Sequence, residues 1–173
     1  NTMLGAVGGI LSAMLVGWRV RRYADVMYAI NGAIAGLVAV TAGAHALSLP
    51  AAFLMGGVSG VLMVLASEWL LKRRIDDAVG AIPAHLVTGL WGTLALPWMA
   101  DLNKLGTSLS RFDQFTVQLL GVVVCGLWSF GIAWLLFRIT RRFLPLRASK
   151  DAEKMGLNLA EHGAQNELHQ LLE

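Results

Sequence analysis

Five apolar stretches, each close to the width of a bilayer's hydrocarbon core, constrain this chain more than any single motif: 2–18, 26–49, 51–71, 78–99 and 115–137. A helix needs about 20 predominantly apolar residues to cross that core. Five such runs predict an all-α polytopic membrane helix bundle. Composition agrees: 56% of the 173 residues are hydrophobic and 14% charged, against about a quarter charged in a soluble domain. The expected division is a transmembrane domain over 1–143 and a C-terminal tail over 144–173. The first run starts so abruptly that the chain is expected to open inside a helix. A secretory signal peptide fits it poorly, since no charged region precedes it and no small-residue cleavage site follows.

Basic residues set the orientation. Of the 14 Lys and Arg, all but Lys104 and Arg111 follow the first, third or fifth run. Arg19, Arg21 and Arg22 follow the first; Lys72, Arg73 and Arg74 the third; Arg138, Arg141, Arg142, Arg147, Lys150 and Lys154 the fifth. By the positive-inside rule these runs end at the cytoplasmic face and the C-terminus is cytoplasmic. A net charge of +3 is thereby accounted for without nucleic acid as a partner. The partner it does imply is the lipid bilayer of an inner (plasma) membrane.

Helices in lipid lack a hydrophobic drive toward one another, so small residues let their backbones approach. Gly5 and Gly9, Gly32 and Gly36, and Gly56 and Gly60 stand at four-residue spacing, one pair in each of the first three runs. They are expected to be packing positions, with no ligand role. Trp18, Trp69 and Trp98 fall near the predicted interfaces, where amphipathic rings anchor. Trp91 and Trp128 lie deeper, and either pack in a core or line a path.

The fourth run carries the titratable chemistry. In IDDAVGAIPAHLVTGLW, from Ile75 to Trp91, paired acids lead into a Gly/Pro-interrupted apolar segment with one histidine, His85. An ionisable residue at membrane depth is costly, and by default it faces a bundle interior or an aqueous path. The alternative is a core histidine with both ring nitrogens satisfied. Asp76 and Asp77 precede the helix, where a carboxylate accepts from free N–H groups and complements the positive end of the dipole. A carboxylate at a cytoplasmic mouth also attracts cations. Asp77 lies eight residues before His85, about 80° around a helix, so the two can share a side. Pro83 removes a backbone donor just ahead of the histidine.

His45 near the outer end of the second run, His162 in the tail and His169 beyond it show no spacing of metal ligands, and no cofactor is expected. Cys125 is expected to be a small apolar core residue, and a single cysteine excludes an internal disulfide.

GAIAGLVAVTAG (32–43), RIDDAVGAIPAH (74–85), GLWGTLA (89–95) and GLNLAEHG (156–163), in this order, resemble the ammonium transporter (Amt/Rh) family along essentially the whole chain. The resemblance implies an eleven-helix fold of two inverted halves plus a long final helix, a homotrimer with one pore per subunit, and this chain as the C-terminal half, helices seven to eleven and the tail. It implies that His85 is the second of two pore histidines, which moves ammonia and a proton, and that Asp77 is the acid eight residues before it, with a structural or field-setting role. Leu86 and Trp91 are then pore-helix neighbours. Gly156, Glu161, His162 and Gly163 are the tail's regulatory motif, expected to hold it to the cytoplasmic loops. No enzymatic activity is implied within the chain.

Three departures bear on function. Leu86 stands where the family usually has glycine, Asn158 where many members have aspartate, and the tail continues as AQNELHQLLE with leucines at helical spacing. Two readings follow. One is ammonium/ammonia transport through a histidine-lined pore, with a soluble regulator docking on the cytoplasmic side. The other is an ammonium sensor signalling through the tail to a fused histidine kinase or diguanylate cyclase.

Overall fold

The computed structural model describes residues 1–162 and is all-helical apart from turns and one antiparallel bridge between Leu47 and Ala100. It divides into two compact units, Asn1–Val124 and Cys125–Glu173.

Helices α1 (Thr2–Arg21), α2 (Val26–Thr41) and α3 (Leu49–Lys72) form the centre of the first unit. Each terminus has a local cause. Arg22 takes a left-handed conformation (φ 65°) and its N–H closes on the Trp18 carbonyl, ending α1. Asp25 caps α2 by accepting from Met27 N at 2.9 Å, and Ser48 caps α3, with Pro50 in its first turn. Pro there costs nothing, because first-turn N–H groups have no intrahelical partner.

The three helices meet through glycine. Gly5, Gly8, Gly9, Ala13 and Gly17 form the buried stripe of α1. A methyl group added at Gly5 would lie 2.8 Å from the carbonyl oxygen of Gly36, and one at Gly32 would lie 2.7 Å from that of Gly9. At Gly9, Gly36, Gly56 and Gly60 the added carbon would overlap the facing backbone outright. The helices therefore touch main chain to main chain, the approach that small residues permit in lipid. Larger side chains fill two clusters around this contact. One holds Val40, Leu47, Met55 and Leu96, and the other Ala13, Tyr28, Ala35, Met63 and Ala84.

The fourth apolar run opens with a π-helical turn, Ile82–Val87, and continues as α4, Thr88–Met99. Gly92 seats the latter against the Ala39 backbone of α2. Where the second run extends to 49, helix stops at Thr41, and residues 42–48 turn across the end of the bundle. Asn1 Nδ2 donates to the carbonyls of Ala44 (2.7 Å) and Leu47 (2.6 Å), and Asp101 N to Ala46 O (3.0 Å). The Arg111 guanidinium donates to the Pro97 and Ala100 carbonyls, neutralising the C-terminal end of α4.

Helix α5, Arg111–Thr140, contributes only Gln114 to the buried set. Its apolar side chains, including Leu120, Leu127 and Trp128, are exposed, as suits lipid contact. Cys125, expected in a core, is exposed on this helix for the same reason.

In the second unit the short helices α6 (Lys150–Met155) and α7 (Leu157–His162) follow α5. Ser149 caps α6, and Arg147 pairs with Glu153 at 2.7 Å. That hydrogen bond to the guanidinium holds the Glu153 carboxyl below the usual carboxylate range. Among the described residues three helices, α1, α3 and α5, are long and apolar enough to cross a membrane, and α2 is a shorter apolar helix.

Candidate functional site

The approach to His85 is built residue by residue. Lys72 ends α3, Arg74 turns the chain with φ 57°, and residues 75–80 form a connection without helix. Asp77 then accepts two backbone hydrogen bonds, from Ala81 N and Ile82 N, each at 2.8 Å. Both donors belong to the first turn of the coming helix, the geometry by which a side chain satisfies its free N–H groups. Gly80 sits at φ +72° and its N–H returns to the Asp77 carbonyl at 3.1 Å. A side chain at that φ would be strained.

Over Ile82–Val87 the hydrogen bonds open to the π pattern. Such turns are rare and concentrate at functional sites. Pro83 supplies no N–H, while the buried Thr88 hydroxyl donates to Ala84 O at 2.5 Å. Pro83 and Ala84 face inward and are buried; His85 and Leu86 face outward and are exposed, Leu86 at 56%. The turn thus separates a packed side from a side that presents the imidazole. Trp91, one turn further on, belongs to the packed side. Its Nε1 donates to Met55 O at 3.2 Å, and the ring lies against the first cluster. Trp128, on α5 and in the second unit, is 71% exposed.

Below the turn is a cavity of about 430 Å³, lined in part by Arg21, Asp25, Tyr28, Asn31, Asp76, Asp77 and Pro83. One side of it is a polar hub. Arg21 Nε donates to Glu68 at 2.9 Å and its Nη1 to Asp25 at 3.0 Å, while the Tyr28 hydroxyl donates to the same Glu68 carboxylate. The Arg21 guanidinium also lies 4.7 Å from the centre of the Tyr28 ring. Four polar groups from α1, α2, α3 and their connection satisfy one another where the helices reach the basic end of the bundle.

Asp76, Asp77 and Pro83 therefore share one cavity, His85 and Leu86 share the exposed side of the π turn, and Trp91 is drawn into the core. Gly156 lies in the second unit, where it ends α6 with φ 96°. Glu161 and His162 fall within α7, and Gly163 and His169 lie outside the described residues. Among the described residues no group of His, Cys, Asp and Glu could hold a metal ion.

Sequence reading passed over Glu68 and Asn31. Their signal is simple in retrospect: each is a strongly polar residue inside an otherwise apolar run, which at membrane depth requires a partner. Reading the spans for histidine alone hid it.

Comparison with known proteins agrees in both sequence and fold. A Synechocystis protein named for ammonium transport is 39% identical over 100% of this chain and 32% of its own length. The ammonium transporter Amt2 of Archaeoglobus fulgidus is 37% identical over 95% of this chain and 37% of its own. Among solved structures, a Sensor Amt Protein superposes with a TM-score of 0.82 at 34% identity, over 93% of this chain and 40% of its own. The chain thus spans about a third to two fifths of the length of these relatives. The profile of the Ammonium Transporter Family matches residues 1–167, and with helices α1, α3 and α5 long and apolar enough to span a membrane, this chain belongs to that family.

Proposed function

We propose that this chain is the C-terminal half, helices seven to eleven and the tail, of an ammonium transporter, and that His85 is a pore residue. The observation that carries the reading is the π turn. It holds His85 on an exposed side of a bundle whose other titratable groups lie toward its two ends. In a complete transporter the inverted-repeat partner would cover that side, so the imidazole would lie at the interface between halves, where transporters of this design place their sites. The complete protein is a homotrimer in the inner (plasma) membrane, with residues 1–143 in the bilayer and 144–173 on the cytoplasmic side.

The mechanism follows from solvation. A bare ammonium ion is expensive to place in an apolar pore, so it gives up its proton and crosses as ammonia. A neutral imidazole both donates and accepts, which lets His85 bond the passing ammonia and relay the proton separately. Asp77 holds the helix start, and its charge favours cations at the cytoplasmic mouth. The tail residues Gly156, Glu161, His162 and Gly163 regulate.

The second reading, a sensor in which ammonium occupancy moves the tail, is supported by the likeness to the Sensor Amt Protein. It also draws on Leu86, whose side chain stands exposed beside His85 and narrows the path. Ammonium-evoked current from the full-length protein on a solid-supported membrane separates the two. Transport predicts a saturating current that His85→Ala abolishes; ammonium binding with no current leaves the sensor.

A further inference from the structure

The side of α2 that faces the π turn carries one amide, and its position is unusual for a residue in an apolar helix. Asn31 is 8% exposed, and its Nδ2 donates across to the carbonyl of Val79 at 3.1 Å. The same nitrogen lies 2.6 Å from where a Cβ on Gly80 would be, so a side chain at Gly80 would collide with the amide. Gly80 in turn accepts from Ala84 N at 3.0 Å, and Ala84 is the residue before His85. A short path of direct contacts thus runs from α2 through the Val79–Gly80 turn to the backbone of the histidine.

Three further observations make this path specific. Asp77 clamps the turn from its other side through Ala81 N and Ile82 N. Pro83 lacks the N–H that would otherwise tie the turn down, which leaves the bond to Gly80 O to set its start. Gly32, next to Asn31, is seated against the Gly9 backbone, so the amide projects from a closely packed part of α2. A buried amide is costly unless bonded, and here its bond is spent on a connection rather than on another helix.

The geometry points to Asn31 as a positioning residue for His85. It holds the Val79–Gly80 turn where the wide π turn, not an α turn, is the continuation, and so fixes the direction in which the imidazole is presented. Relaxing the π turn to α geometry re-phases the helix by up to one residue, about 100° of rotation. That is enough to carry the ring off its path. The inference rests on His85 being the pore residue proposed above.

The test uses the full-length protein in lipid nanodiscs with ¹⁵N-labelled histidine, the His85 ring signals being those lost in His85→Ala. Asn31→Leu, similar in size but unable to donate, is expected to shift or split those signals. Misplacing a reacting group by about 1 Å costs up to about a hundredfold, so maximal ammonium-evoked current should fall at least about tenfold, with half-saturating ammonium within about twofold of wild type. Asn31→Gln, which keeps an amide N–H able to reach Val79 O, should restore the signals and most of the current. Should Asn31→Leu fail to assemble, Asn31→Ala against Asn31→Gln makes the same comparison. Unchanged ring signals in the variant without a donor overturn the inference, as does a glutamine variant no better than alanine. If His85→Ala leaves the current intact, the pore reading fails, while the ring signals still decide whether Asn31 positions the histidine.

Discussion

Removing the Asp77 carboxylate separates its two candidate roles, helix cap and source of a field for cations. The carboxylate accepts from Ala81 N and Ile82 N, both at 2.8 Å. Loss of a capping side chain costs about 0.5–2 kcal/mol. Ala81 and Ile82 are exposed, so water replaces part of what is lost in this half of the fold, and a value of about 1 kcal/mol is expected for Asp77→Ala. That corresponds to about fivefold faster opening of the two bonds. Asp77→Asn keeps one carbonyl acceptor, so about half the cost and about twofold faster opening should follow. The assay is amide hydrogen exchange of residues 78–87 in the full-length protein, read beside ammonium current. If capping dominates, exchange and current both rank wild type, Asn, Ala. If the field dominates, Asn and Ala lose current equally although their exchange rates differ. Exchange in Asp77→Ala as slow as in wild type would refute the capping argument.

Other outcomes follow from the same geometry. Gly56→Ala forces a methyl group into the Gly5 backbone, whereas the neighbouring Gly57→Ala meets nothing nearer than 4.0 Å. Thermal unfolding in detergent should show a loss of about 1–3 kcal/mol for the first and little change or a slight gain for the second. Glu68→Gln removes the carboxylate shared by Arg21 and Tyr28. The ion pair is partly solvated, so a cost of about 1 kcal/mol is expected in the same assay. Glu153 titrates below the usual carboxylate range because it is paired with Arg147. The pairing therefore favours the folded 147–155 segment above the ordinary carboxylate pKa and is lost as pH falls through the depressed value; in Arg147→Ala the carboxyl ¹³C titration of Glu153 should move to higher pH.

Much of this was legible in the residues. Continuous apolar runs specify helices because lipid leaves the backbone no other partner, and glycines at four-residue spacing name the faces that touch. The end of α2 was not, because residues 42–48 are nearly as apolar as the helix before them and hydropathy cannot separate a buried turn from a buried helix. The π turn also escaped. Nothing in IPAHLV distinguishes its period from an α-helix; it depends on contacts from Asn31 and Asp77 on both sides of Gly80. Trp91 stayed open between core and path for a similar reason, since its fate depends on a carbonyl of α3 that lies 36 residues away.

The glycine contact between α1, α2 and α3 also bears on how this bundle forms. A side chain that enters an interface surrenders rotamer freedom, up to about 2 kcal/mol for the longest. Gly5, Gly9, Gly32, Gly36, Gly56 and Gly60 have none to surrender. Once the separate helices are in the bilayer, the glycine contact itself forms without loss of side-chain entropy, which falls instead on the surrounding Tyr28, Val40, Met55 and Met63, and it has one register because backbone ridges offer no alternative rotamers. The three helices can close early and in a single way, leaving the slower adjustments to the loop and the π turn that carry the histidine.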